Sequence, residues 1–431
     1  MDHQDLSFPR PSARVPLTTV GVFLHLLKSN IGPGCLSLPH AFSMIPYSTS
    51  IPVFITIALI TGFNSLKLDR LALLGESYSD LGLRILGSRG GSIVNLSITV
   101  QQLGVCTVYF SFVADNVTKL WGGGSERFVM TAMLPVTLTF VYVRSLKQIE
   151  KLSMFATFLL FLCLGGLLVM GVVEPTTDQP DFTTPNFTQE ALAFSTILYS
   201  FEGACLVIPC RNGYGKSPDK PPFATVYIAA ITVVSMTYLL FAIFCIYSFG
   251  PVDDGSITAF LVKRDGSDVT ILLINCTIAV TVVASYGLQF WPVKEIVRAD
   301  SLDLVVRAEG YDAIQSVTTD HDNYNDLEDD GDDASSASST SSGEIEDKAW
   351  RTEVALIVTT YVIAMVVPNV GLMISLAGSL AGTMSAVIMP SVLDLEGGDG
   401  NKVLNCVLIG AGIIFMGIGA GSSVSEIVSS F

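Results

Sequence analysis

Long apolar runs recur along the whole chain, and most approach or exceed the roughly 20 residues that cross a bilayer as a helix. Half of the 431 residues are apolar and 14% are charged, more apolar sequence than a soluble fold could bury. The fourth run is short, and the split between the ninth and tenth depends on Pro368. These runs predict an all-α polytopic membrane protein with about eleven transmembrane helices, over residues 17–45, 50–68, 92–118, 128–143, 152–173, 189–210, 222–250, 269–292, 350–367, 370–392 and 403–426.

The basic residues orient this array. With the N-terminus in the cytosol, 18 of the 23 Lys and Arg lie on the cytosolic side, as the positive-inside rule requires. The predicted organisation is therefore a cytosolic tail (1–16), transmembrane helices 1–8 (17–298), a cytosolic loop (299–348) and transmembrane helices 9–11 (349–431).

The predicted loop carries most of the negative charge of the chain. Between Asp300 and Asp347 there are 15 Asp and Glu against one Arg, so this segment contributes −14 of the net −16. An acidic, Ser-rich, low-complexity segment is expected to be disordered. Two interpretations stay open: a solvated linker, or a regulatory segment phosphorylated between Ser335 and Ser342.

Helix breakers interrupt the first span. Asn30, Gly32, Pro33 and Gly34 fall near its middle, and Pro and Gly each disfavour a continuous helix. In hydrocarbon the freed backbone groups need partners, so such a break is tolerated where it lines a cavity. Secondary transporters use broken helices near mid-membrane to hold a substrate. We therefore predict a discontinuous helix 1.

A second break is predicted five spans later, in span 6. Glu202 and Gly203 lie at the middle of that segment, and Pro209 lies near its inner end. A carboxylate inside the bilayer is costly and usually marks a pathway, a partner or a proton relay. Isolated Gly and Pro are common in membrane helices, but two clusters in matching positions favour a five-plus-five inverted repeat with discontinuous helices 1 and 6.

The two breaks predict the chemistry of a binding site. Amides after the first break suit a carboxylate, and carbonyls freed before each break suit an ammonium. Together they form a receptor for a zwitterion, which points to an amino acid. The predicted substrate-binding residues are Ser29, Asn30, Gly32, Gly34, Cys35, Tyr199, Ser200, Phe201 and Gly203.

Three segments resemble a known family. HLLKSNIGPGCLSLPHAF (25–42) looks like the first-helix motif of the amino acid/auxin permease family, and YSFEGACLVIP (199–209) resembles its sixth-helix motif. VPNVGLMISLAGSLAGTMSAVIMPSVLDL (367–395) is similar to its segment around spans 9 and 10, and Tyr78–Gly82 also fits. The resemblance implies the amino acid–polyamine–cation type transporter fold, with one helix beyond the repeat, and amino acid symport.

The resemblance also bears on the coupling ion. His25 resembles the first-helix histidine of the proton-coupled amino acid transporter branch, where it would bind or relay a proton or hydrogen-bond near the site. Glu202 is either a proton carrier or a fixed partner of the unwound backbone. Sodium coupling would instead use hydroxyls of span 8, namely Thr277, Thr281 and Ser285, unless these bond carbonyls one turn back.

The expected function is proton symport of a small neutral amino acid across a lipid bilayer. Sodium coupling and a non-transporting amino acid sensor that signals through the acidic loop are the alternatives. No nucleotide motif of the GxxxxGK[ST] kind is present, and we predict no cofactor, metal site, nucleic-acid partner or enzymatic activity. The plasma membrane and a vacuolar or lysosomal membrane are both compatible with the sequence.

Overall fold

A computed structural model describes residues 17–121, 123–143, 146–173, 186–215, 219–319, 333–367, 369–398 and 400–430, without the side chains of residues 146–148, 150, 202 and 302–346. The predicted N-terminal tail lies outside these residues. The regular structure is helical: α1 (Thr19–Asn30), α2 (Leu38–Met44), α3 (Tyr47–Leu71), α4 (Tyr78–Leu120), α5 (Glu126–Leu138), α6 (Leu146–Val173), α7 (Phe187–Ser200), α8 (Val207–Tyr214), α9 (Phe223–Phe249), α10 (Ile257–Arg264), α11 (Val269–Thr319), α12 (Asp333–Val366), α13 (Val370–Ala377), α14 (Met389–Gly397) and α15 (Lys402–Ser429).

Nine helical segments in the described ranges are long and apolar enough to cross a membrane. The two predicted spans outside that set are the first and the fourth. The first is divided between α1 and α2, and the fourth consists of the 13-residue α5 followed by a 3-10 turn, Thr139–Tyr142. The predicted all-α polytopic membrane fold is confirmed, and the protein is a multi-pass membrane protein.

The boundary between the ninth and tenth spans lies where the sequence predicts it. Helix α12 ends at Val366 and α13 begins at Val370; Pro368 is outside the described residues. The Asn369 side chain accepts a hydrogen bond from the Leu372 amide at 3.2 Å, which caps the new helix. The Asn369 cap therefore marks the start of the tenth span.

The predicted loop 299–348 stays a prediction. Helical backbone enters it from both sides, since α11 extends to Thr319 and α12 begins at Asp333. Residues 320–332 are outside the described part of the chain.

Helix α4 lies inside the bundle and α15 at its edge. The apolar window of α4 is 72% buried, against 17% for α15. In the middle, Phe110 of α4 meets the ring of Tyr286 on α11 edge-on, with centroids 5.8 Å apart. Such an aromatic pair contributes about 1 kcal/mol beyond its buried area. Helices α4 and α11 thus pack on each other, whereas the halves of the broken helices contact α9, α3 and α13.

The tenth span contains two wider, π-helical turns, Gly378–Gly382 and Met384–Ile388. A Cβ on Gly378 would lie 2.0 Å from the carbonyl oxygen of Ser195 on α7. Only a glycine permits that approach. Single π turns are frequent at functional sites. The turn at Gly378–Gly382 lies in direct contact with α7, the first part of the broken helix 6.

Candidate functional site

The first predicted break is present between α1 and α2. Helix α1 ends at Asn30, Ile31 has extended backbone (φ −82°, ψ 97°), and a 3-10 turn over Pro33–Ser37 leads into α2. The Asn30 side chain bonds back to the Leu26 carbonyl at 2.9 Å. The chain stops winding here because Gly32 and Pro33 do not continue a regular α-helix.

The second predicted break is also present. Helix α7 ends at Ser200, Phe201 leaves the helical region (φ −100°, ψ 39°), and a 3-10 turn over Glu202–Leu206 connects to α8. The Glu202 side chain lies outside the described part of the structure, so its predicted roles stay open.

The two breaks contact each other directly. A Cβ on Gly203 would lie 2.5 Å from Oδ1 of Asn30, and a Cβ on Gly34 would lie 3.0 Å from the ring of Tyr199. The Ser200 hydroxyl lies 3.2 Å from the Gly34 carbonyl oxygen, as a donor to it. The structure therefore brings the predicted residues of spans 1 and 6 together, in a closed arrangement.

One predicted donor, the Cys35 amide, is already used in this arrangement, and so is the hydroxyl of Ser29. The Cys35 amide donates to the Gly32 carbonyl at 3.2 Å within the 3-10 turn. Ser29 donates its hydroxyl to the Leu26 carbonyl at 2.9 Å. Binding through the Cys35 amide would require the turn to rearrange.

Two aromatic residues complete the site, and the sequence analysis did not assign them. Tyr238 of α9 donates its hydroxyl to the Asn30 carbonyl, and its ring lies 5.8 Å from that of Phe201. Phe54 of α3 lies 5.3 Å from Phe201 on another side. No local signal singled out Tyr238, because the same span also contains Tyr227 and Tyr247. The partner of Tyr238, 208 residues away, follows only from the fold.

A separate small cavity of about 30 Å³ lies behind the first break, among α1, α4, α6 and α11. That is enough room for a water molecule. Its lining is polar on several sides and includes Lys28, Ser29, Gly32, Ser153, Thr157, Thr281, Ser285 and Gln289.

Among the predicted ion-coupling residues, the three hydroxyl residues lie on α11 and His25 lies on α1. Thr281 and Ser285 reach this cavity and Thr277 is not among its lining residues. The hydroxyls of Thr277 and Thr281 donate to the carbonyls of Leu273 and Thr277 at 2.7 and 2.8 Å, one turn back. His25 lies partly buried on α1, more than a turn before the break. In the described part of the chain, no group of His, Cys, Asp and Glu side chains is arranged to hold a metal ion.

Comparison with known proteins identifies the family. The family model for "Transmembrane amino acid transporter protein" matches residues 16–421. Vacuolar amino acid transporter 4 of Saccharomyces cerevisiae is 26% identical over 307 residues, which cover 67% of this chain and 41% of that protein. Amino acid transporter AVT3A of Arabidopsis thaliana is 22% identical over 447 residues, covering 98% of this chain and 92% of that protein.

The match to the yeast relative thus spans less than half of that protein's length, whereas the family model spans nearly the whole of this chain. The predicted family is confirmed, and the proton-coupled branch stays a prediction. The chain belongs to the transmembrane amino acid transporter family.

Proposed function

We propose that this protein is a secondary active transporter that moves small neutral amino acids by alternating access. The observation that carries the proposal is the direct contact between two broken helices, at Asn30–Gly34 and at Phe201–Gly203. Helices interrupted at corresponding positions are where such transporters hold substrate and coupling ion. Membership of a family of amino acid transporters supports the same conclusion.

A zwitterion fits the groups at these breaks. Helix α1 ends at Asn30, so its last carbonyls lie at the negative end of a helix dipole and suit an ammonium. Gly34 lies across from Tyr199 and Ser200 and offers its amide to a carboxylate once the two breaks separate. The aromatic rings of Phe54, Phe201 and Tyr238 leave little room, which favours a small side chain.

We propose the proton as the coupling ion. The hydroxyls that sodium would need, on Thr281 and Ser285, share their cavity with Lys28. A positive side chain opposes a second cation in a low-dielectric site. Two of the three span 8 hydroxyls also donate to carbonyls of their own helix. His25 and Glu202 remain the proposed proton carriers.

The test is uptake in proteoliposomes. Purified protein is reconstituted with buffer that contains choline or sodium, and uptake of labelled glycine, L-alanine, L-serine, L-proline and L-arginine is measured at two pH values. We expect uptake of the neutral substrates that depends on an inward proton gradient, is abolished by a protonophore and is unchanged when choline replaces sodium. A sodium requirement would instead support the alternative ion.

Binding without flux would identify a sensor. A protein that binds labelled alanine but moves none into the vesicles under any gradient contradicts the proposed transport. His25→Ala tests the coupling group separately. Unchanged pH dependence in that variant excludes His25 and leaves Glu202 as the proposed carrier.

We also propose a vacuolar or lysosomal membrane, with the N-terminus in the cytosol. The support is the name of the yeast relative, which is called vacuolar, and the distribution of Lys and Arg. A fluorescent fusion expressed at low level should label that membrane. Protease treatment of intact organelles should remove an N-terminal tag. Labelling of the cell surface would contradict the placement.

A further inference from the structure

The hydroxyl of Tyr238 donates a hydrogen bond to the backbone carbonyl of Asn30, the last residue of α1. Tyr238 lies in the middle of α9 and is 1% exposed, and its O–H donates to the backbone oxygen of Asn30, a residue 6% exposed. The ring also packs against Phe201 at the other break. One side chain from a third helix therefore contacts both interrupted helices.

The Asn30 carbonyl is one of those that a substrate ammonium is expected to use. Two features mark it: it is freed where α1 ends, and it lies at the negative end of that helix. The side chain of the same residue contacts Gly203 at the second break. A buried carbonyl needs a donor in every state of the protein. In the closed arrangement, Tyr238 supplies that donor.

We propose that the Tyr238 O–H stands in for the substrate ammonium and leaves the Asn30 carbonyl when the amino acid binds. This inference rests on the proposed function. It makes Tyr238 a residue that sets affinity by competition: the hydroxyl stabilises the empty, closed site, and the ammonium must displace it. The apparent affinity for the amino acid is then the intrinsic affinity multiplied by the fraction of protein in which the Asn30 carbonyl is available.

The change Tyr238→Phe removes the competitor and keeps the ring. One neutral hydrogen bond contributes about 1 kcal/mol, a factor of about five in an equilibrium constant. We therefore expect the Kd of L-alanine to fall about fivefold. Propionate, which is alanine without its ammonium, does not displace the hydroxyl, so its inhibition constant should stay the same.

The experiment measures binding of tritiated L-alanine to the purified full chain in lipid nanodiscs, with propionate as the competitor. Tyr247→Phe is the matched control, because Tyr247 lies on the same helix and is 76% exposed; it should bind as wild type does. Size-exclusion profiles and circular dichroism establish that each variant is folded.

Weaker alanine binding by Tyr238→Phe would overturn the inference, since the hydroxyl would then assist the substrate. Equal gains for alanine and propionate would also overturn it, because the change would then loosen the site without regard to the ammonium. A wild-type protein that binds none of glycine, L-alanine, L-serine or L-proline contradicts the proposed function itself. Wild-type binding with an unchanged variant contradicts only the role of Tyr238.

Discussion

Gly203 lies at a point where a side chain has no room. A Cβ there would lie 2.5 Å from Oδ1 and 2.6 Å from Cγ of Asn30, and the Asn30 amide is held to the Leu26 carbonyl. Overpacking of this kind costs about 1–3 kcal/mol. We expect Gly203→Ala to lower the rate of amino acid uptake at least about fivefold, measured in proteoliposomes at equal protein content.

Gly410→Ala is the control for this change. Gly410 lies on α15, where an added Cβ meets no atom within 4 Å, so uptake should match that of wild type. If Gly203→Ala transported normally, the two breaks would not need the close contact seen between them, and the site would have to lie elsewhere.

At the scale of elements, a buried ion pair joins three helices near the predicted cytosolic side. The Lys294 ammonium of α11 lies 3.5 Å from the carboxylate of Glu353 on α12, with side chains 2% and 0% exposed. Lys294 also donates to the carbonyls of Val141 and Val143 after α5, at 2.5 and 2.8 Å. These bonds satisfy the orphan carbonyls at the end of the short fourth span.

Removing one member of this pair should destabilise the protein. Lys294→Met strips the carbonyls of Phe140, Val141 and Val143 of a donor. It also leaves the buried Glu353 carboxylate with Arg298, at 2.8 Å, as its remaining partner; breaking a buried pair costs at most about 3–5 kcal/mol. We expect a clearly lower midpoint of thermal unfolding for the purified protein. Arg351→Met is the control on α12, since its pair with Asp347 is exposed and exposed pairs contribute at most about 1 kcal/mol. Equal midpoints for both variants would contradict the structural role of Lys294.

Local sequence signals predicted the helices and their breaks. Contacts between residues far apart in the sequence were not predicted. The breaks at Asn30–Gly34 and at Phe201–Gly203 were predictable because Gly and Pro act on the backbone where they occur. The π turns of the tenth span were not, because they accompany a contact between Gly378 and Ser195 that no local pattern records. For the same reason the partner of Lys294 followed only from the packing of α5, α11 and α12.

At the scale of the whole molecule, the proposed transport requires the closed site to open, and one set of contacts on the predicted outer side opposes that motion. Val252, which follows α9, is bound by α2 twice: its carbonyl faces Nδ1 of His40 at 2.9 Å, and its amide donates to the Ser43 hydroxyl at 2.9 Å. Two residues later, Asp254 pairs with Lys119 of α4 at 2.7 Å, with side chains 19% and 24% exposed. The outer half of helix 1 is therefore connected to the central helix of the bundle through this loop.

Weakening these contacts should raise the fraction of protein in which the site is open. Asp254→Asn removes a partly buried ion pair that contributes up to about 1 kcal/mol, so the open fraction should rise about fivefold. Cys35, which is 1% exposed in the turn after the first break, reports opening through its rate of modification by a water-soluble thiol reagent, quantified on its own peptide by mass spectrometry. Asp253→Asn is the matched control, because its pair with Lys263 is well exposed, and it should leave the rate unchanged. If both variants modified Cys35 at the wild-type rate, the connection from Lys119 through Asp254 to α2 would not limit access to the broken helices.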